Sequence, residues 1–148
     1  MLLKKLNQNN LGSLYKLGLQ EFKGQLWYTK SFLKDSLNSN GYNFGAYENK
    51  KLIGYILVRK MDRPKMWILV FIVDKDYRRQ SIGVKLLKKV ESFKSKDYYV
   101  LMVDAGIGIT DVLANNFYKK SGFERSNEIK HWFGTNNSGY IYLKNLDL

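Results

Sequence analysis

Hydrophobic positions along this chain change period several times, and each change predicts an element boundary. Residues 1–6 alternate weakly, as a first strand does. From Asn10 the apolar positions Leu11, Leu14, Tyr15, Leu17 and Leu19 recur at helical spacing, with Asn9 or Asn10 available as the N-cap and a break at Gly24. A second helix is predicted over 27–37, with Phe32, Leu33 and Leu37 on one side and Thr29 as its cap. The polar residues Ser36, Asn38, Ser39, Asn40 and Gly41 then mark a loop. Runs rich in strand formers follow at 43–47, 52–60 and 66–73, separated by Glu48-Asn49-Lys50-Lys51 and by a turn at Asp62, Arg63 and Pro64. This spacing predicts an antiparallel meander.

The stretch 66–93 organises the remainder. Its apolar run ends at Val73, a charged turn follows, and Ile82, Leu86, Leu87, Val90 and Phe93 then fall on one face of a helix predicted to reach about Lys96. A buried-type strand at 98–103 comes next, without polar alternation, which suits a parallel partner covered on both faces. After a glycine-containing loop at 104–109, Val112, Ala114, Phe117 and Tyr118 form a short helix closed by Gly122 as its C′ residue. The segments 123–133 and 140–143, around a turn at 134–139, predict a closing hairpin. The order is β, α, α, β, β, β, α, β, α, β, β. Strand, helix, strand over 66–103 requires a right-handed crossover and a parallel pair, so the fold class is α/β with a mixed sheet and helices on both faces. No repeat, linker or low-complexity tract interrupts the chain, which predicts a single domain over 1–148.

Composition narrows the possibilities. With 45% apolar and 15% aromatic residues the chain is too hydrophobic for disorder, yet no apolar run approaches the ~20 residues of a membrane span. The N-terminus lacks the apolar core of a signal peptide, so a cytoplasmic protein is expected. The absence of cysteine excludes disulfides, thiolate metal sites and thiol nucleophiles, and no metal site is expected. Net charge is +12, spread over both halves. It is densest at 75–96, where Lys75, Arg78, Arg79, Lys85, Lys88, Lys89, Lys94 and Lys96 face only Asp76 and Glu91. Three readings fit that density: a solvated lysine face, a field that gathers a polyanionic cofactor, or a surface for nucleic acid or the ribosome. The turn Arg78-Arg79-Gln80-Ser81-Ile82-Gly83 favours an anion. It is basic, it opens a helix, and a helix N-terminus offers free N–H groups and the positive end of a dipole, for which a pyrophosphate is the natural guest.

Two motifs now carry a resemblance. The turn Arg78-Arg79-Gln80-Ser81-Ile82-Gly83 matches the form Q/RxxGxG/A, with Ser81 at the first glycine. One strand later, Ala114-Asn115-Asn116-Phe117-Tyr118-Lys119-Lys120-Ser121-Gly122-Phe123 matches AxxxYxxxGF. In this order, and with this element order, the chain resembles the GCN5-related N-acetyltransferases, among them those that act on a ribosomal-protein alanine. The resemblance covers nearly the whole chain, the first 60 residues contributing element order rather than motif.

That resemblance implies the acyl-CoA N-acyltransferase fold and transfer of an acetyl group from acetyl-CoA directly to a primary amine. Phe71, Ile72 and Val73 would pair the pantetheine arm as another strand, with a bulge at 71–73 freeing an N–H for the thioester carbonyl. Arg78, Arg79, Gln80, Ser81, Ile82, Gly83 and Val84 would hold the pyrophosphate, and Asn116 would contribute to the same ligand. Lys85, Lys88 and Lys89 would either meet the adenosine phosphates or form a solvated helix face. Tyr118 is the implied general acid, protonating the departing thiolate. For the general base Asp104 and Asp111 are the candidates, with Asp104 preferred; His131 and Trp132 would line a groove, and Glu48 is a hairpin charge. The acceptor is expected to be a protein N-terminus or a small amine, a basic surface disfavouring polycations. A monomer or homodimer is expected, with the closing hairpin as a dimer edge. The alternative from another class is a non-catalytic CoA-binding or RNA-associated basic module on the same fold.

Overall fold

A computed structural model describes residues 1–147. It contains seven strands: β1 (Leu2–Lys5), β2 (Gly41–Glu48), β3 (Lys51–Lys60), β4 (Lys65–Val73), β5 (Val100–Gly106), β6 (Glu124–Arg125) and β7 (Gly139–Asn145). The longer helices are α1 (Leu11–Phe22), α2 (Lys30–Asn38), α3 (Ile82–Glu91) and α4 (Val112–Lys120). All strands join one mixed sheet in the order β1-β2-β3-β4-β5-β7-β6. The meander is antiparallel, and β4 and β5 form the parallel pair joined through α3.

Each sheet face has its own core. On one side Leu14 and Leu17 of α1 and Leu33 of α2 meet Leu52, Tyr55, Leu57, Val70 and Ile72. On the other, Ile82, Leu86, Leu87 and Val90 of α3 and Tyr118 of α4 meet Ile56, Val58, Met66, Ile68, Leu101, Val103 and Tyr142. Fully burying one such aliphatic side chain contributes about 1.5–3 kcal/mol, which is why helices of nine to twelve residues can hold without strong propensity of their own. None of these helices is long and apolar enough among the described residues to cross a membrane.

Boundaries depart from the sequence pattern where side chains intervene. Helix α2 starts at Lys30 rather than 27, because Thr29 is extended and its hydroxyl accepts from the Phe32 N–H at 3.0 Å. Helix α3 stops at Glu91 rather than near Lys96: the Ser92 hydroxyl donates to the Lys89 carbonyl, and Phe93 turns to stack on Tyr42 with ring centroids 4.6 Å apart. Strand β5 runs on to Gly106 because β7 pairs it along its full length. The closing hairpin is much shorter than its sequence suggests. Only Glu124 and Arg125 pair with β7 as a strand, and a single bridge joins Ile129 to Gly139. Between them the chain turns repeatedly, with positive φ at His131 and Asn136.

Strand β4 carries the feature that shapes the site. Its register with β3 slips between Leu57 and Val58, so that Leu57 faces Val70 while Val58 faces Ile68, leaving Leu69 as an extra residue. A bulge of one residue reverses side-chain parity. Met66 and Ile68 accordingly point to the α3–α4 face, whereas Val70 and Ile72 point to the α1–α2 face and Phe71 and Val73 return to the first. The bulge was expected at 71–73 and lies two residues earlier.

Candidate active site

Strands β4 and β5 pair only at Lys65, Met66 and Trp67, opposite Val100, Leu101 and Met102. Beyond Trp67 they part, β4 staying with β3 and β5 with β7. The Asp74 N–H donates to the Ile53 carbonyl at 2.8 Å, which sets the alternation of the β3–β4 ladder. Ile72 and Val70 therefore exchange hydrogen bonds with β3, and the N–H and C=O groups of Phe71 and Val73 turn toward the gap. An open strand edge of this kind accepts any extended chain of donors and acceptors.

Three elements close on that gap from the α3–α4 face. Phe71 of β4 meets Phe117 of α4 edge to face, centroids 5.4 Å apart, and lies 6.5 Å from the Tyr118 ring. Gly83, on the first turn of α3, faces the same aromatics; a Cβ there would stand 3.5 Å from Phe117, an ordinary contact. At the mouth, Arg79 and Ser81 adopt positive φ of 66° and 61°, and α3 begins directly after them. Left-handed residues ahead of a helix N-terminus form a concavity of N–H groups suited to an anion. The Ser81 side chain makes no capping bond, and Ser81, Arg79, Gln80 and Val84 are exposed, while Ile82 is buried in the core.

Arg78 departs from its expected role. Its guanidinium pairs with Glu21 of α1, and its Nε donates to the Val73 carbonyl at 3.2 Å. A chain laid along β4 would compete for that carbonyl. Of the lysines on α3, Lys85 and Lys88 are exposed, and Lys89 rests over the rings of Phe44 and Phe93 at 5.5 and 5.7 Å.

Tyr118 and Asp104 come together across the sheet. Burial pushes the Tyr118 phenol well above its ordinary range, and the nearby Asp104 and Tyr142 push it further, so it stays protonated at any physiological pH. Asp104 lies on β5 just past the point of divergence, on the face opposite Val103 and Ala105. Burial raises its carboxyl above the usual carboxylate range, and the bond it accepts from Trp132 works in the opposite direction. Asp111, the other candidate, accepts from the Gly108 N–H at 3.1 Å, and so serves as a cap below α4. His131 accepts at Nδ1 from the Asn136 N–H at 3.0 Å and closes its own turn. Glu48 lies 3.6 Å from the N-terminal amine.

Asn116 is exposed, and its neighbour does the bridging. Asn115 donates to the carbonyls of Gly106 and Asp111, and its side-chain oxygen accepts from the Tyr142 hydroxyl at 2.5 Å. It thereby joins α4, β5 and β7 beneath Tyr118. The signal was its position three residues before Tyr118, on the same helix face. On the α1–α2 side of the sheet, a groove of ≈ 440 Å³ is lined by Lys60, Met61, Asp62, Lys65, Trp67 and Met102. Among the described residues no group of three or more His, Asp or Glu is placed to hold a metal.

Several solved acetyltransferases share this fold. An aminoglycoside 6′-N-acetyltransferase complexed with coenzyme A superposes with a TM-score of 0.83 at 14% identity, over 99% of this chain and 97% of that one. The Ard1 protein from Thermoplasma volcanium gives 0.85 at 18% identity, over 97% and 96%. The ribosomal-protein-S18-alanine N-acetyltransferase from Escherichia coli gives 0.78 at 17%, over 98% and 93%. No curated protein matches the sequence itself. The chain belongs to the acetyltransferase (GNAT) family, whose model matches residues 9–123.

Proposed function

We propose that this protein is a single-domain, acetyl-CoA-dependent N-acetyltransferase that moves an acetyl group directly to a primary amine. The observation that carries the reading is the open edge of β4 at Phe71 and Val73, with the buried Tyr118 on one side of the gap and Asp104 on the other. A solved neighbour of the same fold is complexed with coenzyme A. Phe71 and Val73 offer backbone partners for the amide arm, and Ile72 between them keeps the strand anchored to β3. The N–H groups from Arg79 to Val84 at the start of α3 face the pyrophosphate.

In the reaction the amine nitrogen bonds to the thioester carbonyl carbon, and the carbon–sulfur bond breaks. Asp104 takes a proton from the amine, and Tyr118 gives one to the departing sulfur. Solvent returns a proton from the carboxyl to the phenolate, which leaves amide and free thiol as products. The environments suit these roles: a carboxyl raised toward neutrality is a better base, and a phenol that stays protonated is an available acid. The acceptor is a peptide N-terminus or a small amine of low charge. Lys60 and Lys65 outnumber Asp62 in the groove beside Trp67, which disfavours a polycation.

Acetyl-CoA should raise the melting temperature, and Tyr118→Phe should lower kcat by about a hundredfold while leaving acetyl-CoA affinity unchanged. No thermal shift at millimolar acetyl-CoA overturns the reading at its first step. A panel of peptides, monoamines and polyamines, read by thiol release, identifies the acceptor.

A further inference from the structure

We propose that Trp132 is a positioning residue for Asp104: its indole N–H holds one carboxylate oxygen so that the other faces the gap between β4 and β5. This rests on the assignment of Asp104 as general base. The contact itself is direct, the Trp132 Nε1–H donating to Asp104 Oδ2 at 2.9 Å across 28 positions of sequence.

The turn carrying Trp132 is built tightly. Ile129 pairs with Gly139 in both directions, the Ile141 N–H donates to the Ser126 hydroxyl at 3.0 Å, and the Phe133 N–H donates to the Asn137 carbonyl at 2.9 Å. His131 sits at a φ of 61°, and its ring accepts from Asn136, which fixes the residue just before Trp132. The Phe133 ring, just after it, lies against Gly139 so closely that a Cβ there would stand 2.5 Å from Phe133 Cε2. Both neighbours of Trp132 are thus locked, while Trp132 itself keeps 38% of its surface exposed. A large aromatic left partly in solvent on a rigid turn contributes little to the core. What it does contribute is one hydrogen bond to a half-buried carboxylate.

Among the described residues Trp132 is the one side chain that hydrogen-bonds the Asp104 carboxylate. The cross-strand neighbour of Asp104 on β7 is Ile141, and Leu69 of β4 lies on the same face, whereas Phe71 and the neutral Tyr118 belong to the opposite face of the sheet. From the turn, the His131 ring is occupied by Asn136. A carboxylate turns about its own axis unless its donors are fixed, and a base must point its free lone pair at the amine to act. The donor also steadies the ionised form, so removing it makes Asp104 harder to deprotonate.

Trp132→Phe keeps the ring and deletes the N–H. Its expected effect is an upward displacement of the acid limb of the kcat/KM profile, with about a tenfold loss of kcat/KM on the acid side and an unchanged affinity for acetyl-CoA. Trp132→His, which retains a ring N–H, should recover part of the loss. The Asp104 carboxyl should be titrated directly by carbon-13 NMR in the wild type and in Trp132→Phe, a readout that needs no turnover. An Asp104 titration that moves up in the variant, followed by the kinetic limb, supports the proposal. A titration identical in both proteins overturns it. If Asp104→Asn retains the wild-type acid limb, the base assignment falls, and the positioning role falls with it; if that limb vanishes while Trp132→Phe leaves it in place, the positioning role alone is wrong.

Discussion

Ser81 holds a φ of 61° without a glycine's freedom and without using its hydroxyl as a cap. A non-glycine residue in the left-handed region costs about 1 kcal/mol, and such strain persists where the surrounding structure enforces it. Here the enforcement is Ile82, buried one residue later, which seats the first turn of α3 on the sheet. Ser81→Gly should therefore stabilise the protein by about 1 kcal/mol in urea titration without lowering kcat. A destabilised variant would mean that the serine side chain makes a contact worth more than its strain. Tyr118 and the turn at Arg78 are legible in the sequence because both belong to motifs read within a few residues. The sequence could not place Arg78 on Glu21 and Val73, since that choice is made by a helix 57 positions away.

At the scale of elements, the bulge at Leu69 governs the site more than any side chain does. It returns Phe71 and Val73 to the α3–α4 face, where they meet Phe117 and Tyr118, and it sends Val70 and Ile72 into the core beneath α1 and α2. Deleting Leu69 would restore simple alternation with Phe71 and Val73 still on the α3–α4 face, and would remove the extra residue that bends β4. The deletion variant should keep both cores yet lose acetyl-CoA-dependent thermal stabilisation, because the strand edge no longer bends away; a variant that still binds acetyl-CoA would show that the bulge is dispensable. The run Met66 to Val73 is apolar at every position, so its composition predicts a strand covered on both faces but is blind to parity. The closing hairpin is present but pairs over less of its length than expected, for a related reason. Ile129, Trp132 and Phe133 read as strand formers, yet turn hydrogen bonds around His131 claim the backbone first.

Across the whole molecule the charge of +12 is mostly unpaired, since five ion pairs within the described residues engage only a fraction of the 25 Lys and Arg side chains. Exposed cations around the mouth of the gap create a field that salt screens over ~10 Å at ordinary ionic strength. The KM for acetyl-CoA should rise several-fold as potassium chloride is raised from low to physiological concentration, with kcat little changed; a flat response would assign the charge to solubility alone. Local order was legible throughout the chain. Periodicity, caps and turn residues identified the meander, the crossover, α3 and α4, because these signals are each read within a short stretch of chain, and the two motifs identified the family. Tertiary structure alone decided where β4 leaves β5, which aspartate approaches Tyr118, that Asn115 rather than Asn116 supports it, and that Trp132 reaches Asp104. Each of those is a pairing between distant segments, settled by sheet register and the geometry of packed side chains, which one residue of slip in β4 is enough to change.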